Sequence, residues 1–375
     1  MRVGLDGSSL CGPLTGVGHY TFELARALAV NYPSDQFELV SPKPFHPRFV
    51  EQSARDRLPN LEFINPASST RRGRWWSLDL PRYLRRAGFD LFHGTNYEIP
   101  LWRRRRTVVT VHDLSSLLYP QLHRRPLARR MRLRLPLGVR MAKAIITPTE
   151  AVRRELYSHL KVKPKKVTAI HEAPRESFRP MSLDESFSTR ARLGVEDGFL
   201  LFVGTLEPRK NLLTLLKAFA HILRDTRLRS QLVVAGGEGW LMEETFSFVS
   251  AAGIGDRVRL IGYVNDDELR ALYSSCRAFI YPSLYEGFGL PPLEALACGA
   301  PVIASRIAAL EETMGDAAML VDPLDVHSLA AAITDVFENE KQRKKLIAAG
   351  PAHAARFSWE KAAQSTYEVY QNVLS

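Results

Sequence analysis

Short apolar runs alternate with longer stretches of helical periodicity along almost the whole chain. β-Branched and aromatic residues dominate the short runs, whereas apolar residues recur at helical spacing in the stretches between them. Strands that alternate with helices pair in parallel, because each helix carries the chain back to the same end of the sheet. The pattern therefore predicts an α/β protein with parallel sheets.

The predicted elements follow from this pattern. The predicted strands are 2–6, 37–41, 61–64, 90–93, 107–112, 144–148, 167–170, 199–204, 231–235, 258–261, 278–281, 301–304 and 317–321. The predicted helices are 19–31, 151–160, 212–224, 267–274, 293–298 and 326–339, with a further helix at the C-terminus. The segment 174–188 is rich in proline and serine and is predicted to be a linker.

The stretch 281–300 combines a strand end, a glycine-containing turn and a helix start. Pro291 and Pro292 suit the first turn of a helix, where a missing N–H costs no hydrogen bond, and Gly299 suits its end. The start of such a helix offers backbone N–H groups and a positive dipole end to an anion. We therefore expect a phosphate to bind against the turn. The backbone groups concerned belong to Gly287, Phe288, Gly289 and Leu290.

Two carboxylates, Glu286 and Glu294, flank this turn. An anion site needs no acids, but carboxylates accept hydrogen bonds from vicinal hydroxyl groups, as in dinucleotide-binding folds. A nucleotide sugar carries both phosphates and hydroxyls and therefore fits the pattern. The alternative is that Glu286 only caps the helix and Glu294 only offsets its dipole, since acids are common in a first helical turn.

Further strand ends carry polar groups that suit a ligand site. Arg209 and Lys210 follow Gly204 just before a helix, where a planar guanidinium and a compact ammonium would both bind phosphate. Near the N-terminus, Gly16 lies in a glycine-rich loop between a strand and a helix, which is a weaker phosphate signal. His112 ends a buried strand and is followed by Asp113. A solvated cation pair and a structural histidine are the alternatives.

The motif Glu286-x7-Glu294, within Tyr-Glu-Gly-Phe-Gly-Leu-Pro-Pro-Leu-Glu-Ala, resembles the signature of retaining glycosyltransferases of family four. The glycine-rich loop, Thr-Val-His-Asp, Glu-Pro-Arg-Lys-Asn and Gly-Tyr-Val are similar to other segments of that family. The resemblance implies the GT-B fold, in which two Rossmann-like parallel-sheet domains face a cleft. One departure is Thr205, where many members carry an arginine that contacts the phosphates.

The resemblance also implies roles for individual residues. Glu286 would hold the sugar hydroxyls and His112 the donor sugar, so these two are the catalytic candidates. The implied donor-binding residues are Gly16, Arg209, Lys210, Gly262, Tyr263, Val264, Gly287, Phe288, Gly289, Leu290 and Glu294. Of these, Glu294 would hold the ribose, and the Gly262–Val264 segment would lie against the nucleobase. Asp113, His93 and Asn96 are the acceptor-side candidates.

Length and family pattern together give the expected domains. A chain of 375 residues is long enough for two or three domains, each with its own core. We expect an acceptor-binding domain at 1–178, a nucleotide-sugar-binding domain at 179–355 and a helix at 356–375 that crosses back to the first domain. No metal or other cofactor is expected, and Asn265 is interpreted as a helix N-cap rather than the start of an acidic metal site.

Charge separates the two halves of the chain. Residues 1–180 contain 32 Lys and Arg against 15 Asp and Glu, whereas residues 181–375 contain 19 against 25. Arginines cluster at 71–74, 103–106 and 124–134, and in the last cluster they alternate with leucines. This suits an anionic membrane surface or a lipid-linked phosphate. A solvated face is the alternative, and nucleic acid is not an expected partner because no nucleic-acid motif accompanies the charge.

The motifs Gly-Thr-Leu-Glu-Pro-Arg-Lys-Asn and Tyr-Glu-Gly-Phe-Gly-Leu-Pro-Pro resemble most those of bacterial mannosyl- and rhamnosyltransferases of O-antigen or exopolysaccharide assembly. This resemblance implies the retaining transfer of a hexosyl unit to a glycan or polyprenyl-linked saccharide in surface polysaccharide (O-antigen, lipopolysaccharide) synthesis. It also implies mannose or a deoxyhexose such as rhamnose, from a GDP-sugar such as GDP-mannose, as the donor group. The alternatives are a UDP-sugar donor, a sugar-nucleotide epimerase of the same fold and a non-catalytic membrane-binding scaffold. Three separated cysteines and the absence of a membrane-spanning apolar run favour a cytoplasmic protein. The arginine cluster at 124–134 favours a peripheral position at the inner face of the cytoplasmic membrane.

Overall fold

The computed structural model describes residues 1–12, 15–66, 75–100, 106–225, 230–237 and 239–375. The chain divides into two compact units, which are Met1–Glu172 with Ser358–Ser375, and Ala173–Phe357. The arginine clusters at 71–74 and 103–105 lie outside the described residues. No helix among the described residues is long and apolar enough to cross a bilayer.

The strands agree closely with the apolar runs. They are β1 Arg2–Asp6, β2 Gln36–Val40, β3 Leu61–Ile64, β4 Leu91–Gly94, β5 Thr107–Thr110, β6 Ala144–Thr147, β7 Val167–Ala169, β8 Leu200–Val203, β9 Leu232–Ala235, β10 Val258–Gly262, β11 Ala278–Tyr281, β12 Val302–Ser305 and β13 Ala318–Val321.

The helices extend beyond those that periodicity alone predicts. They are α1 Gly16–Asn31, α2 Pro47–Asp56, α3 Leu80–Ala87, α4 Ser115–Leu118, α5 Arg125–Met141, α6 Glu150–Leu160, α7 Leu183–Leu193, α8 Leu212–Asp225, α9 Glu243–Ala251, α10 Asp266–Ser275, α11 Leu290–Ala297, α12 Ala308–Met314, α13 Val326–Glu338, α14 Glu340–Ala354 and α15 Trp359–Leu374.

Each unit contains one fully parallel sheet, so the predicted α/β class is confirmed. Within the described residues, the first sheet has the order β3-β2-β1-β4-β5-β6-β7 and the second the order β10-β9-β8-β11-β12-β13. Both are Rossmann-like, because the order reverses beside the first strand of each unit. Ligands of open α/β sheets bind outside the carboxyl ends of the strands at that reversal. In the second unit the loops after β8 and β11 therefore occupy the expected ligand position.

The second sheet is covered by helices on both faces, as its nearly continuous apolar strands require. Alternate strand residues point to opposite sides, so Leu201 and Phe279 join one core layer while Phe202 and Ile280 join the other. The first layer includes residues of α10 and α11, and the second includes residues of α8 and α13. This double burial fixes the strand ends from which the functional loops emerge.

The predicted linker 174–188 is wrong over much of its length. Phe178 is buried in the core of the second unit, and α7 begins at Leu183. Ser182 and Glu185 form a reciprocal capping box, in which each side chain accepts a hydrogen bond from the other residue's backbone. Proline and serine suggested a linker, but this serine starts a helix.

Candidate functional site

The turn before α11 has the geometry that its glycines and prolines predict. Gly289 precedes the helix with a φ of 97°, a region that favours glycine, and an added Cβ would collide with the Leu310 side chain. Pro291 and Pro292 lie in the first turn, and Gly299 follows the helix with a φ of 78°. The chain therefore enters α11 through a turn that brings backbone close to the carboxyl ends of β8 and β11.

Glu286 lies between the two cations that sequence analysis assigned to phosphate binding. Its Oε1 is 2.6 Å from Lys210 Nζ, and its Oε2 is 3.0 Å from Arg209 Nη1. The side chain is 10% exposed. Burial alone would raise the pKa of Glu286, but the charges of Arg209 and Lys210 and the hydrogen bond from Lys210 lower it to about 2. Glu286 is therefore a carboxylate at every physiological pH.

Two further residues complete this cluster and were missed by sequence analysis. The buried Tyr281 hydroxyl accepts a hydrogen bond from Lys210 Nζ at 2.6 Å and donates one to Glu286 Oε1 at 2.9 Å. Glu207 Oε1 lies 2.5 Å from Arg209 Nη2. A polar residue at the end of an otherwise apolar strand was the available signal for Tyr281. The two cations are therefore held between the carboxylates of Glu207 and Glu286.

Glu294 lies one helical turn into α11 and is 5% exposed. Its Oε1 accepts a hydrogen bond from Arg175 Nε at 2.9 Å, and the same guanidinium donates from Nη1 to Asp266 Oδ1 at 2.7 Å. Arg175 was not singled out by sequence analysis because it lies in the supposed linker. Glu294 is therefore part of a buried ionic cluster, not only a charge that offsets the helix dipole.

The Gly262–Val264 segment connects β10 to α10, close in sequence to Asp266. Gly262 has a φ of 71°, and its carbonyl accepts a hydrogen bond from the Gly236 amide at 2.7 Å. The Tyr263 side chain is exposed, whereas Val264 is buried. Asn265 caps α10 as predicted, by accepting a hydrogen bond from the amide of Glu268. Among the described residues there is no cluster of three or more metal-ligating side chains.

His112 lies beyond the end of β5 in the first unit and contacts two hydrogen-bond acceptors. Its Nδ1 is 3.1 Å from Glu172 Oε1, and its Nε2 is 2.8 Å from the carbonyl oxygen of Thr95. Both ring nitrogens of His112 therefore face an oxygen acceptor. Glu172 was not predicted to be its partner, and the available signal was its place shortly after β7.

His93 occupies a position that argues against the predicted acceptor-side role. Its ring is completely buried, with Nδ1 2.7 Å from Tyr370 Oη and Nε2 2.8 Å from Thr110 Oγ1. Burial, helped by the nearby His112, lowers the pKa of His93 to about 3. The residue is therefore a neutral link between β4, β5 and α15. A histidine at a strand end is as suitable for packing against a helix as for binding a ligand.

The other candidates of the first unit lie nearer its surface. Asp113 Oδ1 accepts hydrogen bonds from the amide and hydroxyl of Ser115, so its carboxylate orients the following turn. Asn96 is half-buried, and Gly16 is the exposed first residue of α1. Thr15 caps that helix by accepting a hydrogen bond from Gly18. The structure thus places these candidates, with His112, in the first unit and the donor-binding candidates other than Gly16 in the second.

Comparison with known proteins relates both units to one group of enzymes. Residues 185–353 match the model for glycosyl transferases group 1, and residues 14–173 match the model for glycosyltransferase family 4. The O-antigen chain mannosyltransferase B of Escherichia coli is 32% identical over 377 residues, which span 96% of both proteins. The chain belongs to glycosyltransferase family 4. A D-inositol 3-phosphate glycosyltransferase of Streptomyces bingchenggensis is 34% identical over 245 residues, 62% of this chain and 53% of that relative.

A solved structure supports the fold of this family 4 glycosyltransferase. HepE from Anabaena, crystallised in complex with UDP and glucose, has a TM-score of 0.76 at 18% identity, with 99% of both chains covered. The glycosyltransferase therefore has the predicted GT-B fold, built from two parallel-sheet units.

Proposed function

We propose that this glycosyltransferase moves a mannosyl unit, or a deoxyhexosyl unit such as rhamnose, from a GDP-sugar to a saccharide acceptor with retention of anomeric configuration. The single observation that carries the proposal is the cluster of Glu286, Arg209 and Lys210 beside the start of α11. The choice of mannose is supported by the O-antigen mannosyltransferase that is 32% identical along nearly the whole chain.

The cluster has the chemistry that departure of a nucleoside diphosphate requires. Negative charge builds up on the phosphate oxygens as the sugar leaves, and Arg209 and Lys210 stabilise that charge from fixed positions. Burial lowers the pKa of Lys210, although Glu286 opposes this effect, so diphosphate binding would favour its ammonium form. Glu286, released from its cations by the phosphates, accepts hydrogen bonds from the sugar hydroxyls. The reaction needs no protein base if a phosphate oxygen takes the acceptor proton.

A UDP-sugar is the second candidate donor. HepE binds UDP and glucose on the same fold, and the inositol phosphate relative widens the range of acceptors. An epimerase would use the same nucleotide site without an acceptor, and a non-catalytic scaffold would not need the acids. The presence of Glu286 and Glu294 in structured contacts favours a transferase over the scaffold.

Transfer itself is the direct test. The purified protein is incubated with labelled GDP-mannose or UDP-glucose and a polyprenyl-diphosphate saccharide in vesicles, and label in the lipid fraction is measured. We expect incorporation from GDP-mannose, and the configuration of the new bond, read by NMR, should match that of the donor. Incorporation from UDP-glucose alone would replace the proposed donor. Label released only as free sugar or isomerised nucleotide sugar would contradict transfer.

We also propose that α5 attaches the enzyme to an anionic membrane surface. Ala128, Met131 and Leu135 bury one side of this helix. The opposite side exposes Leu133 at 77%, and Leu137 lies beside it. The arginines exposed around these leucines are Arg125, Arg129, Arg132 and Arg140. Exposed leucines surrounded by arginines match a surface with anionic headgroups above an apolar layer.

The same helix supplies a matched control for this proposal. Arg130 and Arg134 both lie 2.6 Å from Glu98, which offsets part of their charge. R129Q/R140Q should weaken binding to phosphatidylglycerol vesicles about tenfold or more, since each basic residue near the surface contributes about 1 kcal/mol. R130Q/R134Q removes the same charge and should weaken it less. Equal losses, or no binding of the wild type, would contradict docking through this face.

A further inference from the structure

Arg175 is a buried arginine of the second unit. In the sequence it lies between β7, the last strand of the first sheet, and β8, the first strand of the second. Its residue exposure is 8%, and its guanidinium lies 4.4 Å from the centre of the Phe178 ring. It donates to Glu294 on α11 and to Asp266 on α10. A buried guanidinium that bridges two carboxylates on different helices is held in one orientation from three sides.

The bridge needs an arginine rather than a lysine. Nε and Nη1 of one planar group reach Glu294 and Asp266 at the same time, at 2.9 and 2.7 Å. A lysine ammonium has a single nitrogen and no planar group, so it cannot fix the relative orientation of two carboxylates. Burial would lower the pKa of Arg175, but the two carboxylates raise it further above its usual range, so the bridge stays charged.

Glu294 depends on this charge for its own chemistry. Burial raises the pKa of Glu294 above its usual range, and the charge and hydrogen bond of Arg175 limit that rise. A carboxylate only accepts hydrogen bonds, whereas a protonated acid also donates one. To accept hydrogen bonds from two vicinal hydroxyls, an acidic side chain must therefore be ionised, and its carboxylate must be held in one orientation.

We propose that Arg175 is the positioning residue of the ribose subsite: by bridging Glu294 to Asp266, it orients the Glu294 carboxylate toward the ribose hydroxyls of the donor nucleotide. This inference rests on the proposed role of Glu294 in ribose binding. Because Asp266 opens the helix that follows the Gly262–Val264 segment, the same bridge fixes the expected base-binding segment relative to the ribose. Arg175 thus acts through Glu294 and does not itself contact the reacting atoms.

The test compares nucleotides that differ only in the ribose hydroxyls. Calorimetric titration gives the dissociation constants of GDP and 2′,3′-dideoxy-GDP, and of the same pair with uracil, for the wild type and the R175M and R175K variants. The wild type should bind the ribonucleotide about tenfold or more tightly, since hydrogen bonds to a carboxylate are among the stronger ones. In R175M the ratio should fall toward one, and R175K should not restore it.

Arg190 provides the matched control. It is a buried arginine of the same unit that pairs with Asp197 and not with Glu294 or Asp266. R190M removes the same group and destabilises the unit, but it should leave the ratio unchanged. If R175M does not fold, D266N breaks the bridge at its other end and should lower the ratio as well.

The outcomes separate this inference from the proposed function. A ratio in R175M that equals that of the wild type, with both affinities lowered alike, would show a purely structural arginine and overturn the inference alone. A wild type that binds neither the guanine nor the uracil ribonucleotide would overturn the proposed function, and the inference with it.

Discussion

At the scale of single residues, Glu286 has partners that compete with its proposed substrate contacts. Both Arg209 and Lys210 pair with it, and its pKa of about 2 keeps it ionised. A diphosphate would take over the two cations, and the carboxylate would then turn to the sugar hydroxyls. Binding of the phosphates and presentation of the acid are therefore one event in this account.

This coupling predicts the effect of E286Q. The amide is the same size but carries no charge, so it cannot compensate the cations or accept hydrogen bonds at both of its polar atoms. Turnover should fall by about 10²–10³-fold, the usual cost of removing one preorganised polar group, while GDP affinity is kept or rises. Initial rates and calorimetric GDP titration measure the two effects separately. Equal losses in turnover and in affinity would show instead that Glu286 has only a structural role.

Among the secondary-structure elements, α11 and the turn before it form the proposed phosphate site. Gly289 has a positive φ and no space for a Cβ, whereas Gly299, at the other end of the helix, has a positive φ and open space around it. The two glycines have similar backbone requirements and differ in their surroundings. Comparing alanine substitutions at the two positions therefore distinguishes the effect of backbone strain from the effect of a disturbed site.

G289A should lower both stability and nucleotide affinity. Left-handed backbone costs an alanine about 1–2 kcal/mol, and the added Cβ forces the Leu310 side chain beside the turn to move. G299A should cost only the backbone term, about 1 kcal/mol, and leave GDP affinity unchanged. Urea unfolding and GDP titration of the two variants give the comparison. A G289A protein that binds GDP as tightly as G299A would contradict the assignment of the turn as the phosphate site.

His93 links β4 and β5 to α15 and makes the stability of the first unit depend on pH. Its pKa is about 3 when folded and about 6.5 when unfolded, so its contribution is complete above pH 6.5 and is lost as pH falls toward 3. Relative to H93Q, the wild type should lose about 2 kcal/mol between pH 7.5 and pH 5.

Urea unfolding of both proteins at the two pH values measures this difference. The comparison with H93Q is needed because burial raises the pKa of Asp6 to about 6, which makes that residue favour folding at lower pH. Asp6 is present in both proteins, so its effect cancels in the difference. Parallel pH profiles of the wild type and H93Q would contradict the buried, neutral assignment of His93.

At the scale of the whole molecule, the sequence predicted the parallel sheets, the strand ends and the glycine-containing turn before α11. It did so because each depends on local spacing, such as Gly289 before two prolines or an apolar run before Glu286. The partners of the site residues could not be predicted in this way. Arg175 and Glu294 are 119 residues apart and meet only because two helices pack together. His93 shows the converse, since a strand-end position alone could not distinguish a ligand contact from a packing contact.

If the second unit binds a nucleoside diphosphate without metal, as we propose, the nucleotide should stabilise the protein in the presence of a chelator. Thermal unfolding is therefore measured with GDP, UDP, ADP and CMP, each with the chelator present. A ligand at 100 times its dissociation constant stabilises a protein by about 2.7 kcal/mol, which is enough to rank the four. We predict a rise in Tm with GDP and little with the others. A rise with UDP alone would change the donor and keep the site. No rise with any of the four would contradict the assignment of Arg209, Lys210 and Glu294.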